Sequence, residues 1–108
     1  MVGWWAAGSG VIRWEWDTGK AAGNLRKHGV SFALAILVFD DPFALIDPDP
    51  HEDGDRVRMV GTPARGPSAI LFVVYAEAVL LNGEWVGCIV SARRATASER
   101  WRYEEAQR

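Results

Sequence analysis

The chain has 108 residues, 49% hydrophobic and 24% charged, with a formal net charge of −2; this points to one ordered domain with a modest core and argues against disorder. A single cysteine excludes an internal disulfide framework, and with Cys88, His28 and His51 as the whole set of soft ligands, no metal site is expected. The lack of an 18-residue apolar run argues against a membrane span, MVGWWAAGSG lacks the basic n-region of a secretory signal, and the expected compartment is a reducing cytoplasm.

The charge is unevenly spread. Residues 1–54 carry four Lys/Arg against eight acids, and residues 55–108 carry eight Arg against six acids. A uniformly basic nucleic-acid binder is excluded, whereas a local basic patch is not.

Met1–Gly10 reads as a flexible arm, and 11–108 as one domain. Val11, Ile12, Trp14 and Trp16 predict a first strand. Asp17 predicts a helix N-cap, and Gly29 a left-handed stop after His28. On that helix Lys20, Asn24 and Lys27 share one face, with Ala21, Leu25 and His28 as the neighbouring stripe, which puts His28 on the border between the polar and buried faces. Ser31 predicts the cap of a second helix carrying Phe32, Ala35, Ile36 and Phe39, ended by Asp40, Asp41 and Pro42. Phe43–Ile46 reads as a strand and Asp47–Asp55 as an exposed acidic loop.

Arg56–Val60 alternates, which places Arg56 and Arg58 on one wet strand face. Gly61–Pro67 is turn material. Ala69–Leu81 and Glu84–Ala92 read as long strands joined by Asn82-Gly83, a type I′ hairpin signal. Without a bulge, that turn pairs Leu81 with Glu84, Glu77 with Cys88, Tyr75 with Val90 and Val74 with Ser91, and Arg93 continues the face of Ile89 and Ser91. Thr96-Ala-Ser-Glu99 is a capping box that opens a last helix. The order is β-α-α-β-β-β-β-α, an α+β fold with an antiparallel sheet packed by helices.

Three blocks carry a resemblance: WDTGKAAGNLRKHGVSF (Trp16–Phe32), VFDDPFALIDPD (Val38–Asp49) and IVSARRATASERWRYEE (Ile89–Glu105). Over roughly residues 12–105 the chain resembles the BrnT family of small bacterial toxins. The resemblance implies a RelE-like fold and endoribonuclease activity without a cofactor. It also implies a BrnA-like antitoxin partner in a heterotetramer, with DNA engaged only through that antitoxin. The chain departs from the family pattern at the long hairpin, about five residues longer than usual. Ala78 stands where many members have an arginine, and Gly87, or Cys88 after a one-residue slip, stands at a second arginine position.

Ribonuclease chemistry of this type needs cations on the phosphate and a group that moves protons near neutrality. The expected catalytic set is His28, Lys27, Arg58 and Arg93, with Lys20, Arg56 and Arg94 contacting RNA. Each has a structural alternative. His28 terminates its helix against Leu25, and Lys20 and Lys27 form a solvated face. Arg56 and Arg58 protect a strand edge, and Arg93 pairs with Glu99. Glu99 itself reads as the capping-box acid, with general base as the minor alternative. Trp101 and Tyr103 either stack on a base or pack the last helix. Cys88 reads as a small buried hydrophobe. Besides an active toxin, the replaced arginines allow a weak or inactive homologue that binds antitoxin as a co-repressor.

Overall fold

The structure, a computed structural model, describes residues 2–7, 10–49, 56–63 and 69–107, with side chains from residue 12 onward. The elements are β1 (Val2–Ala7), β2 (Gly10–Glu15), α1 (Thr18–His28), α2 (Phe32–Ile36), β3 (Leu45–Asp49), β4 (Arg56–Gly61), β5 (Leu71–Leu81), β6 (Glu84–Arg94) and α3 (Ala97–Glu105). One turn of 3-10 helix, Leu37–Asp40, extends α2. The strands form one sheet in the order β1-β2-β6-β5-β4-β3. Only β2 and β6 run parallel, so the sheet is mixed rather than wholly antiparallel, and the fold is α+β.

The local signals act as their chemistry requires. Asp17 accepts from Lys20 N–H at 2.8 Å, Ser31 accepts from Leu34 N–H at 3.0 Å, and Gly29 takes φ 69° to end α1. At the hairpin, Asn82 and Gly83 take φ 51° and 82°, as a type I′ turn demands.

Three expectations change. The arm expected to be loose contains β1, paired with β2 from Val2↔Glu15 to Ala7↔Gly10. That pairing covers backbone groups that β2 would otherwise present at an open edge. The acidic stretch Asp47–Asp49 belongs to β3, where Asp47 faces Arg58 and Asp49 faces Arg56 across the ladder. Opposite charges directly across a pair favour the strand, and Pro48 is tolerated because β3 is an edge. The rest of that loop, with His51, lies outside the described residues, as do residues 64–68 of the following turn.

The third change is the β5–β6 register. Leu81↔Glu84 and Val74↔Ser91 hold, but Tyr75 faces Ile89 and Ala76 faces Cys88. Two irregularities cause this, one between Ala76 and Val79 on β5 and one between Val74 and Tyr75, where β6 carries the extra residue. They cancel, so pairing is restored on either side. Between them, however, Ile89 falls on the face of Ala92, and Arg93 on the opposite face.

The sheet therefore has two dissimilar faces. One buries Trp14, Met59, Val73, Tyr75, Ile89 and Ala92 beneath α2 residues such as Phe32 and Ile36. The other packs Val60 and Phe72 against Ala95 and Tyr103, beneath α3.

Candidate active site

Strand alternation builds the site. Val57 and Met59 enter the larger core, so Arg56, Arg58 and Val60 project from the face that α3 partly covers. Across that face run two adjacent rows, Asp47–Arg58–Val74–Ser91 and Leu45–Val60–Phe72–Arg93. α3 sits over the second row; in the first, Arg58 is exposed, Asp47 and Ser91 are half-buried and Val74 is buried. Arg56 is half-buried. Neither arginine makes an ion pair with another described residue.

Arg93 is held differently. Its Nη1 and Nη2 donate to Glu99 Oε1 and Oε2 at 2.8 and 3.0 Å. Its guanidinium lies 4.0 Å over the centre of the Phe72 ring. Glu99 Oε1 also accepts from Thr96 N–H at 2.8 Å, closing the capping box. The Arg93 hydrogen bonds hold the Glu99 carboxyl below the ordinary carboxylate range despite its partial burial. One carboxylate thus joins the end of β6 to the start of α3, and the pairing weighed as the alternative for Arg93 is formed.

The far end of α3 is fixed by Asp41. Tyr103 Oη donates to Asp41 Oδ2 at 2.6 Å, and Thr62 N–H donates to the same oxygen at 2.9 Å. Burial pushes the Asp41 carboxyl up, but the hydrogen bonds from Tyr103, Thr62 and Phe43 outweigh it and leave it lowered. Arg102 adds an exposed ion pair to Asp47 at 3.2 Å. Of the two aromatics considered for base stacking, Tyr103 is buried and Trp101 is 62% exposed. Arg94 is exposed and shares a cleft of about 330 Å³ with Arg100 and Glu104.

Helix α1 is bonded to the backbone of β6 beyond the end of β2, with Ala21 against the larger core. Asn24, read as part of a solvated face, is buried. Its Nδ2 donates to Val30 O at 2.9 Å and Ala92 O at 2.7 Å, and its Oδ1 accepts from Ala92 N–H at 3.2 Å. These bonds turn Ala21, Asn24 and His28 toward the protein, while Leu25 is 50% exposed. Lys20 and Lys27 remain exposed. The seven expected site residues therefore divide. Arg56, Arg58 and Arg93 share the α3 face, Lys20, Lys27 and His28 sit on α1, which Asn24 bonds to the Ala92 backbone, and Arg94 lines the separate cleft with Arg100. Among the described residues, no hydrogen bond or ion pair links Lys20, Lys27 or His28 to Arg56, Arg58 or Arg93.

The two positions for the second family arginine are also distinguished. Gly87 is buried under Trp14, and a Cβ there would lie 2.3 Å from Trp14 Cζ3. Cys88 projects to the opposite side and is exposed, contrary to the buried reading, because its neighbours Gly87 and Ile89 take the inward positions. It is thus Cys88 that shares the open face with Arg58.

Sequence reasoning missed Asn24 and the Asp41–Tyr103 bond. Asn24 lies one turn before the helix stop, where a polar residue on the inward stripe is the available signal. Asp41 has no comparable signal, since its partners are 21 and 62 residues away. Among the described residues, no group of three His, Cys, Asp or Glu side chains is placed to hold a metal ion, and no helix is long and apolar enough to cross a membrane.

An open face with free guanidinium groups suits phosphate recognition, because a planar fork donates to two oxygens at once. None of the curated proteins searched matches the chain. The family model described as "Ribonuclease toxin, BrnT, of type II toxin-antitoxin system" matches residues 16–99. The chain belongs to the BrnT family of ribonuclease toxins of type II toxin–antitoxin systems.

Proposed function

We propose that this chain is an endoribonuclease toxin that cleaves RNA on the open sheet face bearing Arg56 and Arg58. The observation that carries this reading is Arg58, an exposed guanidinium on a strand face with no ion-pair partner among the described residues. In this mechanism the ribose 2′-hydroxyl gives its proton to water as its oxygen attacks the adjacent phosphorus, and the 5′-oxygen leaves, taking a proton from water. Arg58 offsets the charge that develops on the phosphate oxygens, with Arg56 one step along the strand. The chemistry needs no metal ion. The RelE-like arrangement, a BrnA-like antitoxin, its two-plus-two assembly, DNA contact only through it, and a cytoplasmic site of action belong to the same proposal.

Arg93 acts here as the residue that positions α3 through Glu99, and Arg94 extends the RNA path toward Arg100. Lys20 and Lys27 are placed in a separate basic strip. His28 is assigned no proton transfer, because among the described residues no hydrogen bond or ion pair joins α1 to Arg56, Arg58 or Arg93.

Purified variants test this assignment on RNA. Arg58→Ala is expected to lower the cleavage rate about 100-fold or more, in the range seen when one transition-state donor is removed. His28→Ala is expected to lose less than about tenfold, below the roughly 100-fold that a general acid or base supplies. Unchanged cleavage by Arg58→Ala contradicts the site.

A second reading has its own support. Arg93 is fully engaged by Glu99 and Phe72, and Gly87 has no room for a side chain. In that reading the chain binds antitoxin without cutting RNA, and the folded wild type leaves RNA intact.

A further inference from the structure

On the face opposite Arg58, helices α1 and α2 stop short of the β5–β6 hairpin. A groove of about 560 Å³ lies there. Its aromatic floor is Trp14, Phe39 and Tyr75: Trp14 stacks on Phe39 with centroids 4.4 Å apart, and Tyr75 meets Trp14 edge-on at 5.3 Å. Its rim includes Ile46, 59% exposed, and Trp85, 48% exposed; Leu80, also exposed, pairs with Trp85. Exposed apolar side chains gathered at one groove mark a surface that another molecule covers.

The lining also has a sign. Among the described residues it holds two carboxylates, Asp41 and Glu77, and no lysine or arginine. Asp41 is already committed to Tyr103, Thr62 and Phe43. Glu77 makes no ion pair with a described residue, and its charge adds to burial in pushing the Tyr75 hydroxyl up to about 12. Trp14, 98% buried in the floor, has an indole N–H without an acceptor among the described residues. A negative lining over aromatic rings disfavours a phosphate backbone and favours a cation on an apolar stem.

We propose that this groove anchors the antitoxin, taking a segment whose apolar side chains cover Ile46, Leu80 and Trp85 and whose arginine or lysine reaches Glu77 over the aromatic floor. The proposal rests on the toxin–antitoxin reading above. It places the anchor on the sheet face opposite the arginines.

The test co-expresses the full chain with the full-length antitoxin encoded beside its gene and measures affinity for the wild type, Glu77→Arg, Trp85→Ala and Arg58→Ala. RNA cleavage by the same free proteins is read in parallel. Both altered groove residues are exposed, and matching melting temperatures establish that the variants are folded. Glu77→Arg and Trp85→Ala are each expected to weaken antitoxin binding by at least about tenfold, as for an interface hot spot, with Arg58→Ala binding as the wild type does. Wild-type affinity in both groove variants overturns the proposal, as does a wild type that forms no complex. Weakening by Trp85→Ala alone overturns the cationic anchor. A wild-type homodimer that Trp85→Ala dissociates, with antitoxin affinity unchanged, assigns the groove to a second copy and overturns the proposal. Equal cleavage by wild type and Arg58→Ala, together with the expected affinities, removes the proposed active site and leaves the groove assignment standing.

Discussion

Asn24 and Gly87 show what single positions do in this fold. The Asn24 side chain stands between α1, the Val30 carbonyl and the Ala92 backbone. Asn24→Ala leaves buried backbone groups without partners, so a loss of about 2–3 kcal/mol of stability is expected by urea denaturation. Gly87→Ala puts a methyl group within 2.3 Å of the Trp14 ring. The ring is boxed in by Phe39 and Tyr75, so about 1–3 kcal/mol of destabilisation is expected from overpacking, read from the same denaturation midpoint. A variant at either position as stable as the wild type contradicts the packing described. Gly87→Arg is expected to disrupt folding rather than add a phosphate contact, whereas Cys88→Arg is expected to add one on the face of Arg58.

At the scale of elements, α3 is held at both ends by carboxylates whose proton affinity falls on folding. The Arg93 hydrogen bonds lower Glu99. For Asp41, burial pushes the carboxyl up, and the Tyr103 and backbone bonds reverse that. A carboxyl lowered by folding stabilises the native state fully above its ordinary value. That contribution is lost as pH falls through the ordinary range to the folded value. Stability is therefore expected to decline below the ordinary carboxylate range. Glu99→Gln and Asp41→Asn should each flatten the decline in a melting-temperature series across acidic pH. An unchanged slope in both contradicts the anchoring.

The same scale shows what the sequence makes legible. Caps and tight turns are local, and Asp17, Gly29, Ser31, Asn82-Gly83 and Thr96 reveal themselves by residue type. The two compensating bulges are not local. They shift the register only at Tyr75 and Ala76 on β5, so the placement of Ile89 and Cys88 could not be read from turn counting alone. The strand character of Asp47–Asp49 is likewise set by backbone pairing with β4, against the local preference of Asp and Pro for turns. Of the site, the shared face of Arg56 and Arg58 is legible from alternation. The separation of His28 from that face depends on where α1 docks, which Asn24 fixes by bonding the Ala92 backbone 68 positions away.

On the proposed reading the whole molecule has two working faces with opposite character. One is the sheet face beside α3 that carries the exposed Arg58. The other is the apolar, carboxylate-lined groove beyond α1 and α2. The net charge of −2 conceals this separation. The basic C-terminal half does not form one uniform patch: Arg93 and Arg102 are spent on Glu99 and Asp47, and Arg58 is left open. On this account the chain cuts RNA through its own 2′-hydroxyl, with no metal ion. The most direct measurement incubates the purified wild-type chain, with a chelator present, with an RNA and with the same strand carrying 2′-deoxyribose at the cleaved nucleotide, and identifies the product ends. Cleavage of the RNA to a 2′,3′-cyclic phosphate, with the substituted strand intact, is the predicted result. Equal cleavage of both strands, loss of cleavage on chelation that added metal restores, or no cleavage by the folded protein would contradict it.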